Sequence, residues 1–116
     1  MPLRSGIYVA NADRTVRSKV REEGAKKVWI QLLIDRRRAK TFVMRRFTIG
    51  RRGETPLHTH KWEHEVFVLE GKGIVTNGKT KQVLRAGTVV YVSPNRIHQF
   101  KNTQAGRLVF LCLIPK

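Results

Sequence analysis

The sequence predicts an all-β domain, a sandwich or barrel, and three observations carry that expectation. Short runs of apolar and β-branched residues recur from Lys26 to the end of the chain, and turn residues separate them every few positions. No stretch carries the apolar repeat of an amphipathic helix. About eight to ten strands follow, the pattern of a closed or doubly layered antiparallel fold. A chain of 116 residues suits one domain with one core, and no linker, repeat or low-complexity segment divides it.

Taken in order, residues 1–25 mix small and charged side chains around an apolar patch at Ile7-Tyr8-Val9. They read as an N-terminal arm, with an edge strand at a dimer interface as its expected role; residues 26–116 form the barrel. A first long strand spans 28–34 and stops at Asp35 and the following arginines. A second spans 41–49, after which Gly50-Arg51-Arg52-Gly53 is expected to turn the chain. Residues 65–69 form the next strand, with Gly71 and Gly73 flanking a bend. Residues 73–76 and 79–84 form a hairpin closed by Asn77-Gly78, a strong two-residue turn signal. Strands over 87–92, 97–100 and 107–114 complete the set.

The formal charge is +16, and fifteen of the 24 Lys/Arg residues precede Glu54. Such a surface attracts polyanions in general. The pairs Arg45-Arg46 and Arg51-Arg52 lack the interleaved aromatics of a single-strand platform, and no nucleic-acid motif accompanies them. A solvated charged face with no nucleic-acid partner is therefore expected. Cys112 is the single cysteine, so no intrachain disulfide forms, which fits a reducing compartment. The first six residues have no apolar core of a secretory signal, and the longest apolar run, 108–114, is too short to span a bilayer. A cytoplasmic protein without membrane attachment is expected.

The chemistry lies in the histidines. All four fall in two segments, Pro56-Leu57-His58-Thr59-His60-Lys61-Trp62-Glu63-His64-Glu65 and Ser93-Pro94-Asn95-Arg96-Ile97-His98. On a strand, residues two apart share a face, so His58 and His60 are expected to point inward together. His64 opens the next strand, and His98 closes the set if the sheet curls back. Four imidazoles meeting at one point make a divalent-metal site. His60 to His64 also matches H-x-x-E-H, a zinc-peptidase pattern that needs a helix. Pro56 before it and the strand after it argue against one.

Gly53, His58, His60, the His64-Glu65 pair and Gly71, followed by Gly87, Pro94, His98 and Asn102, resemble the two motifs of the cupins. Phe42-Val43-Met44-Arg45, His98-Gln99-Phe100 and Phe110-Leu111-Cys112-Leu113-Ile114-Pro115 are similar to segments of the small manganese cupins of thermophiles. The resemblance implies a double-stranded β-helix, or jelly-roll barrel, a homodimer, and metal ligands His58, His60, His64 and His98. Manganese is its implied ion; imidazole itself also accepts iron, nickel, copper and zinc. Ser93 and Asn95 stand where the family often has proline and glycine, and the spacing from Gly53 to His58 is one residue short. Asn95 tolerates the left-handed backbone such a turn needs. Many cupins bind metal through a glutamate near Glu65. Neighbouring strand residues face opposite ways, so His64 and Glu65 are not expected to bind together. His64, the ligand that the resemblance implies, is favoured, and Glu65 then faces outward or supports the site from behind.

Four neutral imidazoles leave the ion its full charge, which favours small, anionic ligands. Octahedral coordination would leave two positions for substrate or dioxygen. Arg45, Phe47, Trp62, Phe100, Phe110 and Cys112 are the expected pocket residues, with Cys112 a buried thiol and not a nucleophile. The functional expectation is an oxygenase-like enzyme acting on a small organic substrate. A non-redox isomerase or lyase of a sugar or oxo acid, and a non-catalytic ligand-binding module, are the alternatives.

Overall fold

The structure, a computed structural model, describes residues 6–116. Nine strands carry the chain: β1 (Arg17–Lys19), β2 (Lys26–Ile34), β3 (Phe42–Glu54), β4 (His64–Glu70), β5 (Lys72–Thr76), β6 (Lys81–Arg85), β7 (Val89–Val92), β8 (Gln99–Asn102) and β9 (Leu108–Pro115). The only helical element among the described residues is a single 3-10 turn, Ala12–Arg14. Every pairing is antiparallel, in the order β6-β5-β8-β3-β9-β4-β7, with β2 and then β1 added on the other edge of β3. The sheet curls over one interior, a jelly-roll barrel in a single domain.

Strand β4 shows how pattern becomes architecture. His64, Val66 and Val68 are buried, while Glu65, Phe67 and Leu69 are exposed. This two-residue alternation turns one face to the interior. Val66 and Val68 join Val28, Ile49, Leu84, Phe100, Leu108 and Phe110 in the core.

Four expectations change in detail. Gly50 to Gly53 does not turn the chain: β3 runs on through it to Glu54. The pairing with β2 jumps there, from Val28 opposite Ile49 to Lys26 opposite Glu54, so the extra residues form a bulge. Lys27 and Arg52 take left-handed backbones, with φ of 56° and 54°. Gly53 is required by close approach, because a Cβ there would lie 2.4 Å from the Lys26 carbonyl oxygen. The bulge re-aims β3 so that Glu54 pairs with Lys101 of β8.

The hairpin loop is four residues, because Thr76 pairs with Lys81. The Asn77 side-chain oxygen accepts the backbone N–H groups of Lys79 and Thr80 at 2.9 and 2.8 Å, which favours the longer loop. The arm contributes its edge strand at Arg17–Lys19 and not at Ile7-Tyr8-Val9. Buried Gln31 anchors it by donating to the carbonyls of Ala12 and Thr15. Of the arm, residues 1–5 lie outside the described residues. Finally, His58 and His60 sit on the β3–β4 connection, where His58 makes a lone antiparallel bridge to His98.

Asn102 has a structural role. Almost fully buried, it donates to the carbonyls of Ile49, Gly50 and Gly106 and accepts from the backbone of Gln104. It thereby ties the β8–β9 loop to β3. Asn95 takes the expected left-handed conformation, with φ of 63°, and its N–H donates to the His60 carbonyl at 2.6 Å. No helix among the described residues is long and apolar enough to cross a membrane.

Candidate metal centre

The His58–His98 bridge is the local device that gathers the rings. Each residue's N–H donates to the other's carbonyl, at 3.2 and 2.9 Å, so the two segments meet backbone to backbone. Side-chain nitrogens of His58, His60 and His98 then lie within 4.8 Å of one another, a spacing at which one ion could bind all three. The His64 ring adjoins them, its centroid 5.1 Å from that of His60 and 4.9 Å from that of His98.

Each ring is held from behind. The His98 Nδ1–H donates to the Arg96 carbonyl at 2.9 Å, and the His58 Nδ1–H to the Glu22 carboxylate at 2.8 Å. His60 stacks flat on Trp62, with centroids 4.5 Å apart and planes 7° apart. His64 Nδ1 lies 3.1 Å from the Cys112 sulfur, and His64 Nε2 is buried with no hydrogen-bond partner. An orphaned buried nitrogen costs stability unless something satisfies it, and a cation would. In this arrangement Nδ1 is engaged on His58, His64 and His98, which leaves Nε2 on each for an ion.

Burial is the main cause that lowers the pKa of His64, to about 3; the neighbouring His98 and Arg45 add to it. His60 and His98 are lowered too, again chiefly by burial. The neutral imidazole, the form that ligates metals, is thereby favoured. A pH dependence follows for the metal-free protein. An unfolded histidine takes up a proton near pH 6.5, whereas folded His64 resists until about 3. Stability is therefore full above 6.5 and falls as pH drops through this window, by up to about 1.4 kcal/mol per pH unit for each proton. Urea midpoints measured at intervals from pH 7 to 4 should show this decline; a flat profile would contradict it.

All six predicted pocket residues, Arg45, Phe47, Trp62, Phe100, Phe110 and Cys112, line a cavity of about 190 Å³ that also includes the four histidines. Phe100, Phe110 and Phe47 form a continuous aromatic wall, with successive centroids 4.9 and 5.5 Å apart. Cys112 is buried, and burial raises its thiol pKa against the opposing pull of Arg45. Of the pair in doubt, His64 is 6% exposed and turned inward, and Glu65 is exposed on the opposite face. A wider groove of about 660 Å³ between the β5–β6 hairpin and β7 includes only His98 of the four histidines.

Glu22 was not legible in the sequence. It stands in the irregular stretch before β2, 36 residues from His58, and only the docking of β1 on β2 brings it across. Its carboxylate fixes the tautomer of His58 and raises the basicity of the ring. Glu22→Gln is expected to weaken metal binding about tenfold with the fold intact, measured by competition with a coloured chelator. An unchanged affinity would show that the contact is incidental.

A curled antiparallel barrel with a histidine cluster inside it defines a class of β-barrel with a candidate metal centre. The cupin-domain family model (Cupin_2) matches residues 45–114, and the chain belongs to the cupin family. No curated protein matches it. Among solved structures, the polyketide cyclase RemF from Streptomyces resistomycificus is 28% identical, with a TM-score of 0.88 over 94% of this chain and 79% of its own. A cupin 2 domain-containing protein from Halorhodospira halophila is 31% identical, with a TM-score of 0.70 over 74% of this chain and 62% of its own. A predicted oxalate decarboxylase from Thermotoga maritima, 22% identical with a TM-score of 0.82 over 93% of this chain and 98% of its own, shares the fold.

Proposed function

We propose that this cupin is a metal-dependent, oxygenase-like enzyme for a small organic substrate. In this reading His58, His60, His64 and His98 hold one divalent ion, with manganese the first candidate. The observation that carries it is His64 Nε2, buried without a partner on a ring that adjoins the other histidines. Such an ion would supply Lewis acidity and, as manganese or iron, a change of oxidation state.

The chain's own residues narrow the chemistry. Among the described residues Glu22 is the only carboxylate lining the cavity, and it is committed to His58. Proton-transfer reactions need a positioned acid or base, and besides the histidines the wall offers mainly phenylalanine, valine and isoleucine, with Arg45 always charged and the Cys112 thiol pushed up by burial. That composition supports oxidative chemistry over isomerisation. The volume, below the 300–1,000 Å³ range of drug-sized pockets, supports a small substrate.

The test starts with elemental analysis of protein purified without added metal, expected to show about one transition-metal ion per chain. Anaerobic reconstitution with manganese or iron, then oxygen uptake against phenols and 1,3-diketones, should give metal-dependent consumption. A chain that takes up no metal would overturn the metal reading. A loaded chain without uptake across the panel would overturn the oxygenase. A non-redox reading is favoured by the 28% identity to a protein named a polyketide cyclase; product formed from such substrates without oxygen would establish it.

A further inference from the structure

Arg45 differs from other arginines of this chain. Its neighbour Arg46 pairs with Asp13 at 3.0 Å and donates to Gln31, and Arg38 and Arg107 pair with Asp35 and Glu70. Among the described residues Arg45 forms no ion pair, and its Nε, like that of Arg38, is buried without a hydrogen-bond partner. One of its terminal nitrogens donates to the Cys112 sulfur at 2.9 Å and lies 3.4 Å from His64 Nδ1. The guanidinium carbon sits over the Phe47 ring, 5.0 Å from its centroid.

We propose that Arg45 is the anion-binding half of the pocket and that the substrate is a small carboxylate or enolate held between its guanidinium and the histidine centre. The argument is one of charge and geometry. A partly buried guanidinium with a buried, unpartnered Nε gains from a counter-charge, and among the described residues the only carboxylate on the cavity wall, Glu22, is engaged by His58. A divalent ion among the histidines would add two more positive charges to the same small space. An anion offsets both, and the planar guanidinium fork matches a carboxylate in two parallel hydrogen bonds. The aromatic wall runs from Phe100, beside His98, through Phe110 to Phe47, beneath the Arg45 guanidinium, so it would cover the organic body of such an anion.

This rests on the metal reading of the histidines, and the experiment separates the two. Elemental analysis first gives the metal content of the wild type, Arg45→Met and Arg45→Lys. Calorimetric titration then uses malonate, which carries a carboxylate at each end, and malonamide as its neutral counterpart. The expected result is that the loaded wild type binds malonate and binds malonamide at least about tenfold more weakly. Arg45→Met should keep its metal and lose malonate affinity about 10- to 100-fold, the scale of a charge-assisted hydrogen bond. Arg45→Lys, which keeps the charge without the fork, should fall between and serves if the methionine variant folds poorly. Equal malonate affinity in Arg45→Met and wild type would overturn the proposal. So would loss of metal in Arg45→Met, which would assign the guanidinium to holding His64. A metal-free wild type would sink the metal reading instead, and malonate titration of the metal-free proteins would still decide the role of Arg45.

Discussion

His98→Ala is expected to lower the affinity for a divalent metal by more than about 100-fold, beyond the 10- to 100-fold cost of losing an outer-shell partner. The His98 ring is the hub of the cluster, its centroid 4.9 Å from His58, 5.6 Å from His60 and 4.9 Å from His64. It is 4% exposed and held by the Arg96 carbonyl. Its backbone bridge to His58 uses only main-chain atoms and survives the substitution, so the fold should persist. Elemental analysis and a chelator competition read the loss, with circular dichroism as the control for folding. Glu65→Ala, on the outer face of β4, should keep the metal. Retention by His98→Ala, or loss by Glu65→Ala, would refute the arrangement of ligands.

Phe110→Ala is expected to destabilise the protein by about 3–5 kcal/mol, the range for removing a fully buried aromatic ring. Phe110 is 2% exposed and sits on β9 between Phe47 of β3 and Val68 of β4. Its ring stacks against Phe100 and Phe47, so truncation leaves a hole where three strands meet and removes the middle of the cavity wall. Phe42→Ala, at a position 57% exposed, should cost less than about 1 kcal/mol. Urea unfolding of both variants measures the difference. A cost for Phe110→Ala near that of Phe42→Ala would mean that the wall is not part of the core.

Much of this was readable in one dimension because periodicity is a local property. Alternation along β4 allowed only one of His64 and Glu65 to face inward, and the burial of His64 with Glu65 exposed decides which. The left-handed turn at Asn95 was legible for a similar reason, since an asparagine side chain tolerates that backbone. Errors arose where a local signal competed with a distant one. Gly50 to Gly53 has the composition of a turn, yet the partners on β2, β8 and β9 draw β3 straight through it as a bulge. His58 and His60 converge through a bridge to a residue 40 positions away, and no strand alternation was needed.

By itself the sequence determined that the chain is all-β and that its four histidines gather in two segments, because residue type and spacing act over a few bonds. Only the tertiary structure decided that Glu22 stands behind His58 and that Arg45 faces Cys112 and His64, without an ion pair among the described residues. Those placements depend on how β1 docks on β2 and how β3 registers with β9. Charge balance in a buried space is a property of all the strands that enclose it.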